Sequence, residues 1–162
     1  MGKLCDVVMQ FLKDDDWKYD RLGDKDIFQA GVGAKNASYQ LFYDVKEDAE
    51  QLILYTIVPQ RVPEHCREMA SEFLTRANYG IIIGNFEMDF DDGEVRYKTS
   101  VDVEGSVLTV GMVRQMTLYS ISTTDRYFPG IMAFCYGGKT AHEAVLDIEN
   151  PMPEDNGESG GT

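Results

Sequence analysis

The chain has 162 residues, of which 43% are hydrophobic and 11% aromatic, a composition typical of one globular domain with a substantial core. Its formal net charge is −13 at pH 7, so its surface field opposes phosphate backbones and anionic membranes, and we expect no nucleic-acid binding. Its apolar runs are far shorter than the roughly 20 residues that cross a bilayer, so we expect no membrane span.

The N-terminal segment and the cysteines predict a cytoplasmic protein. The first residues lack the small-residue cleavage site of a signal peptide, and Asp6 stands where a myristoylation motif needs Ser or Thr. Cys5, Cys66 and Cys135 are odd in number and widely spaced, which is typical of reduced thiols.

The first third of the chain predicts a helix followed by a meander of strands. Helical spacing of apolar residues over 3–13 predicts an amphipathic helix that ends in the acidic run 14–16. Trp17 and Tyr19 follow as expected anchors onto the core. Segments that alternate or are apolar throughout then predict three strands, at residues 27–32, 38–45 and 51–58.

The rest of the chain predicts three helices, a hairpin and a tail. Pro63 opens the second helix, which ends at Gly80. The third helix runs over residues 110–136, where Pro129 is expected to kink or split it near Arg126. A capping box starts a short last helix at Thr140. We expect a single domain over residues 1–149 and a disordered acidic tail over 150–162.

A β-hairpin lies between the second and third helices. Asp92-Gly93 stands between two alternating runs and predicts a two-residue type I′ turn. That turn fixes a register in which apolar residues face one another and opposite charges pair: Phe90 with Val95, Met88 with Tyr97, Phe86 with Thr99, Asp89 with Arg96, and Glu87 with Lys98.

Separate runs of strands and helices predict an α+β fold, an antiparallel sheet of about five strands with helices packed on one face, in the order α-β-β-β-α-β-β-α. The third strand is apolar on both sides, so its second face needs cover. We expect Phe42, Ile53, Tyr55 and Ile57 to form a partner or dimer surface that gives a two-fold homodimer. The alternative is that the first or last helix wraps over that face.

No pattern predicts a catalytic, cofactor-binding or metal site. The string GKT at 138–140 lacks the glycine that a phosphate loop places five residues earlier. His65 and His142 each lack a second histidine at helical spacing, and the acidic clusters do not match a calcium loop. Cys66 and Cys135 fall on apolar helix faces, where thiols are usually inert.

Several strings, in their joint order, resemble the YbjN family of putative bacterial sensory transduction regulators. They are Val62-Pro63, Arg76-Ala77-Asn78, GNFEMDFDDGEVRYKTSV from Gly84, Leu108-Thr109, DRYFP from Asp125 and YGGKTAHEA from Tyr136. The resemblance extends from the first helix to about Glu149. That family is similar to the type III secretion chaperone fold, whose members commonly pair into homodimers and hold partner polypeptides. The resemblance therefore implies a non-enzymatic binding or regulatory module with an unidentified protein partner, and it implies no catalytic residues.

A second hypothesis belongs to a different class. A small-molecule-binding protein or enzyme would place its site in a groove between the sheet and the kinked third helix. The residues that would form this groove are Ser122, Thr123, Thr124, Asp125 and Arg126. Their convergence on a deep pocket would support the hypothesis.

Overall fold

The computed structural model describes residues 2–153, so most of the predicted tail, from residue 154 onward, lies outside the described residues. The helices are α1 Lys3–Asp14, α2 Arg67–Gly80, α3 Val110–Tyr136 and α4 Ala141–Glu149. The strands are β1 Tyr19–Arg21, β2 Ile27–Gly33, β3 Ser38–Lys46, β4 Gln51–Ile57, β5 Asn85–Met88 and β6 Val95–Asp102. They form one antiparallel sheet in the order β1-β2-β3-β4-β6-β5.

The described helices all pack against the same face of this sheet. Every second residue of β3 and β4 is buried, and these buried residues contact α1 and α3 at one end of the sheet. Phe86, Val95 and Tyr97 on β5 and β6 contact α2, α3 and α4 on that same face. The predicted α+β fold is confirmed, with the short β1 as an additional strand. The alternative in which the first or last helix covers the second face is wrong.

A row of hydroxyl groups separates the two apolar clusters of the core. The Tyr43 hydroxyl and Thr117 Oγ1 lie 3.0 Å apart, and Thr99 Oγ1 lies 3.2 Å from Ser120 Oγ. All four side chains are buried, and burial raises the pKa of Tyr43. We call Tyr43, Thr99, Thr117 and Ser120 the hydroxyl seam. It ties the middle of α3 to β3 and β6 by directional contacts.

The helix α3 is not split at Pro129, because a neighbouring loop replaces the hydrogen bond that proline removes. Pro129 has no N–H, so the Asp125 carbonyl loses its partner within the helix. Asn36 Nδ2 donates to that carbonyl at 2.9 Å. The Asp125 carboxylate also accepts from the Asn36 backbone N–H and the Tyr39 hydroxyl, each at 2.9 Å. These bonds hold the β2–β3 connection against α3.

The hairpin of β5 and β6 is present, but its predicted register is wrong by two residues. Phe86 lies opposite Tyr97, and Met88 lies opposite Val95, so the connection spans residues 89–94. A shift of two keeps each side chain on its predicted face. The wider turn has a physical cause outside the hairpin: Gly93, at φ +75°, accepts a hydrogen bond from the Val62 N–H at 2.8 Å.

Candidate functional site

The face of the sheet that no described helix covers is the candidate functional surface, and we call it the open face. Side chains of alternate residues point to it, and the strand register aligns them in rows across the sheet. The first row is Gly31, Gln40, Ile57, Arg96 and Glu87, the second is Gln29, Phe42, Tyr55, Lys98 and Asn85, and the third is Ile27, Asp44, Ile53 and Ser100.

The four predicted surface residues lie together on the open face. Phe42 and Tyr55 are directly opposite each other on neighbouring strands, and Ile53 and Ile57 flank Tyr55 along β4. All four side chains are partly exposed. Leu54, which lies between Ile53 and Tyr55 and points to the opposite face, is fully buried against the helices. We call Phe42, Ile53, Tyr55 and Ile57 the apolar patch.

Cationic side chains border the apolar patch on the β6 side. Arg96 Nε and Lys98 Nζ donate to the two Glu87 carboxylate oxygens at 2.6 and 2.9 Å. Partial burial works to raise the pKa of Glu87, but the hydrogen bonds from Lys98 and Arg96 outweigh it and lower that pKa. The Arg96 guanidinium also lies 4.3 Å from the centre of the Tyr55 ring. On the β3 side, Asp44 lies beside the patch with its side chain only 17% exposed, and its carboxylate pairs with Lys46 at 2.8 Å.

A depression of about 640 Å³ lies beside the apolar patch, at the end of the sheet where β2 and β3 connect. Gly31 and Gly33 line it, together with Ser38, Gln40, Ile57 and other residues. The sequence analysis missed this feature. The sequence signal for it is the pair of glycines in β2, with Gly31 inside the strand, where glycine is unfavourable, and Gly33 at its last residue.

The exposed edge of the sheet at β5 is closed by a side chain. The Asn78 carboxamide accepts from the Phe86 N–H at 2.7 Å and donates to the Phe86 carbonyl at 2.9 Å. It therefore occupies the position that a further strand would take. Pairing of another chain along β5 is blocked at Phe86, which leaves the open face as the larger accessible surface of the sheet.

The polar residues of α3 do not converge on a common groove. Ser122 and Thr124 bond to carbonyls of their own helix, at 3.2 and 2.6 Å. Asp125 faces the β2–β3 connection, and Arg126 is exposed, with its guanidinium 5.4 Å from the Tyr127 ring centre. Among the described residues, these side chains therefore do not meet in the groove that the second hypothesis requires.

The other side chains that could bind a metal or react are two histidines and three cysteines. Among residues 2–153, no three His, Cys, Asp or Glu side chains are placed to hold a metal ion. His65 and His142 are exposed on different elements. The three thiols are free, and burial is the largest cause that raises the pKa of Cys5 and of Cys135 to about 12. These two thiols stay protonated at neutral pH and are poor nucleophiles.

The described residues form an α+β protein whose antiparallel sheet has one uncovered face, and that face carries the apolar patch. The model of the YbjN family, described as "Putative bacterial sensory transduction regulator", matches residues 4–132. The chain belongs to the YbjN family, which confirms the resemblance seen in the sequence.

The chain is also similar to solved structures. The chain is similar to the crystal structure of YbjN from E. coli, described as a putative transcription regulator, with 11% identity and a TM-score of 0.58. That match covers 82% of this chain and 92% of the other. A second similarity is to the HopA1-SchA chaperone-effector complex, with 15% identity, a TM-score of 0.48, and coverage of 77% and 89%. No curated protein matches the chain in sequence.

Two observations describe the type of protein. The family to which the chain belongs is described as putative bacterial sensory transduction regulators. Within the described part of the chain, no helix is both long and apolar enough to cross a membrane.

Proposed function

We propose that this protein is a non-enzymatic, cytoplasmic regulatory module that works by binding polypeptides, and that a second copy of the chain binds to its open face. One observation carries the proposal: the helices cover a single face of the sheet, which leaves Phe42, Ile53, Tyr55 and Ile57 partly exposed in the protomer. Apolar side chains grouped in this way mark interaction surfaces.

The dimensions of the open face suit a weak dimer. Five strands at about 4.8 Å spacing and three rows of side chains at about 6.8 Å spacing project an area of roughly 500 Å² per copy. Standard protein interfaces bury about 800 Å² per partner. A face-to-face homodimer would therefore bury less area than a standard interface, and we expect a reversible association that depends on protein concentration.

The remaining parts of the proposal have separate support. A non-enzymatic role is supported by the polar groups of α3, which are used in structural hydrogen bonds. A cytoplasmic location is supported by three unpaired thiols, which a reducing compartment maintains. A protein partner beyond the second copy is supported by the family's description as putative regulators. We also propose that residues 1–149 act as one domain.

Sedimentation equilibrium of the purified protein between about 1 and 200 μM tests the dimer. We expect a reversible dimer for the natural sequence and a monomer for Ile53→Asp, because dimerisation would bury an unpaired carboxylate. Ile57→Asp is a second variant with the same expected result. Leu118→Asp is the matched control, because Leu118 is 53% exposed on α3, away from the open face.

Circular dichroism and thermal unfolding establish that each variant is folded before its mass is interpreted. A natural-sequence protein that stays monomeric at 200 μM refutes self-association. A dimer that survives both Ile53→Asp and Ile57→Asp in folded protein places the interface elsewhere and refutes the role of the open face.

A further inference from the structure

Two cysteines that are 69 residues apart in the chain lie side by side. Cys66 Sγ is 4.0 Å from the Cys135 carbonyl oxygen, and both side chains pack in the same apolar cluster. Burial is the largest cause that raises the pKa of the Cys135 thiol to about 12, and a side-chain hydrogen bond with Cys66 is another. The two sulfur atoms are therefore neighbours.

Contacts of the residues before and after Cys135 hold this arrangement in place. Phe134 packs against Phe73 of α2, with 5.0 Å between the ring centres. The Tyr136 hydroxyl accepts a hydrogen bond from Gln60 Nε2 at 3.1 Å. The end of α3 is thus fixed against both α2 and the connection between β4 and α2. The approach of the two thiols belongs to the packing of the fold and does not depend on one side chain.

The third cysteine of the chain is isolated from this pair. Cys5 is fully buried in the other apolar cluster. Burial is the largest cause that raises its pKa, and the other causes are the carboxylates of Glu47 and Asp26. Among the described residues, Cys66 and Cys135 are therefore the only cysteines that lie next to each other.

The two neighbouring sulfur atoms differ in their surroundings. Cys66 is 6% exposed and directly precedes the first residue of α2, where the positive end of the helix dipole favours a thiolate. Cys135 is half-buried near the end of α3 and keeps its proton at neutral pH. Its S–H can donate to the Cys66 sulfur and so stabilise an anion there. This placement suits Cys66 to attack an oxidant and Cys135 to complete a bond.

We propose that Cys66 and Cys135 form an oxidation site at which a hydroperoxide converts the two thiols into one disulfide bond. The Cys66 thiolate attacks a peroxide oxygen, the O–O bond breaks, and the leaving hydroxide takes up the proton that Cys66 released. The Cys135 sulfur then attacks the resulting sulfenic sulfur, the S–O bond breaks, and the Cys135 proton leaves with that hydroxide as water. Two thiols and one hydrogen peroxide thus give one disulfide and two water molecules, as two electrons pass from sulfur to the peroxide.

The disulfide would join the connection between β4 and α2 to the end of α3. A cross-link between residues so far apart in sequence restricts the unfolded chain and stabilises the fold. The joined connection contains Pro59 and Arg61, which line the depression beside the apolar patch. Oxidation would therefore constrain a segment that borders the open face.

Mass spectrometry of the reduced, full-length protein after treatment with hydrogen peroxide tests the site. Remaining thiols are blocked with iodoacetamide in urea, and the protein is digested with trypsin without a reductant. Because trypsin cleaves after lysine and arginine, Cys66 lies in the peptide of residues 62–67 and Cys135 in that of residues 127–139. We expect these two peptides to be joined, with only Cys5 alkylated, and dithiothreitol to separate them.

Three serine variants assign the roles, once circular dichroism has shown that each is folded. Cys5→Ser is the matched control and is expected to form the disulfide in full. Cys135→Ser is expected to stop at the sulfenic acid of Cys66, which dimedone labels, whereas Cys66→Ser is expected to stay unlabelled. In the natural sequence, oxidation is expected to raise the unfolding temperature by at least about 5 °C, and dithiothreitol is expected to reverse the shift.

The outcomes separate the parts of this inference. Natural-sequence protein in which both Cys66 and Cys135 are still alkylated after peroxide treatment overturns the site, as does a disulfide that contains Cys5 or joins two copies of the chain. Dimedone on Cys135 in Cys66→Ser, with no label in Cys135→Ser, overturns the order of the two steps. A full cross-link without a change in unfolding temperature overturns the constraint on the fold. None of these results depends on the open-face dimer, so each proposal can fail alone.

Discussion

Replacing Asn36 by alanine tests how the protein accommodates a proline inside its longest helix. The Asn36 side chain donates to the Asp125 carbonyl at 2.9 Å and to Asp125 Oδ2 at 3.3 Å. Its loss leaves a partly buried carbonyl without a partner, which costs about 1–3 kcal/mol. For a domain of this size, about 2 kcal/mol of unfolding free energy corresponds to a fall of about 4–8 °C in the unfolding temperature.

A double-mutant cycle isolates the cause. Pro129→Ala restores an N–H four residues after Asp125, so the carbonyl gains a partner within the helix. In that background, Asn36→Ala is expected to cost about 1 kcal/mol less than in the natural sequence, because one of its two bonds has been replaced. Urea unfolding followed by circular dichroism gives the four free energies, and Lys35→Ala, at an exposed position next to Asn36, serves as the control.

Equal costs of Asn36→Ala in the two backgrounds would refute this explanation of the unbroken helix. A cost below about 0.5 kcal/mol in the natural sequence would also refute it, because surface substitutions without a structural role fall in that range.

Two further predictions concern the β5–β6 hairpin. Asn78→Ala leaves the Phe86 N–H without its side-chain partner, whereas the Phe86 carbonyl keeps the hydrogen bond from Asn85 Nδ2 at 3.2 Å, so we expect about 1–3 kcal/mol of destabilisation and faster hydrogen exchange at the Phe86 amide by NMR. Natural exchange at that amide would contradict the capping of the edge. Glu87 has a lowered pKa, so the stability it contributes is present above its ordinary value and is lost as the pH falls through its folded-state pKa. Thermal unfolding of Glu87→Gln should therefore approach that of the natural sequence from about pH 5 downwards, and a constant difference would refute this role of the Arg96 and Lys98 pairs.

Local sequence patterns predicted the elements that local interactions stabilise. The predicted helices and the four longer strands agree with the observed ones to within a few residues, because their apolar periodicity and caps are encoded locally. The capping box of Thr140 with Glu143 is present as predicted. The short β1 was missed, since three polar or aromatic residues at an edge carry no periodicity.

Contacts between segments that are distant in sequence account for the two incorrect predictions, the register of the hairpin and the split of α3. The hairpin register depends on Gly93 against Val62 and on Arg67 against the turn, and no pattern within the hairpin reveals these partners. The continuity of α3 across Pro129 depends on Asn36, 89 residues from Asp125 in the chain. The apolar patch was predictable because β4 is apolar at successive positions. The depression was not predictable, because the two glycines that line it do so only together with residues from other strands.

The hydroxyl seam restricts how α3 can move relative to the sheet. Aliphatic side chains tolerate small axial slides of a helix over a sheet, whereas paired hydroxyls at about 3 Å are satisfied in one alignment only. Sliding of α3 along its axis would break these contacts, so we expect the helix only to tilt or to move together with the sheet. A twist of the strands is therefore expected to move the middle of α3 together with them, because both contacts join this part of the helix to β3 and β6.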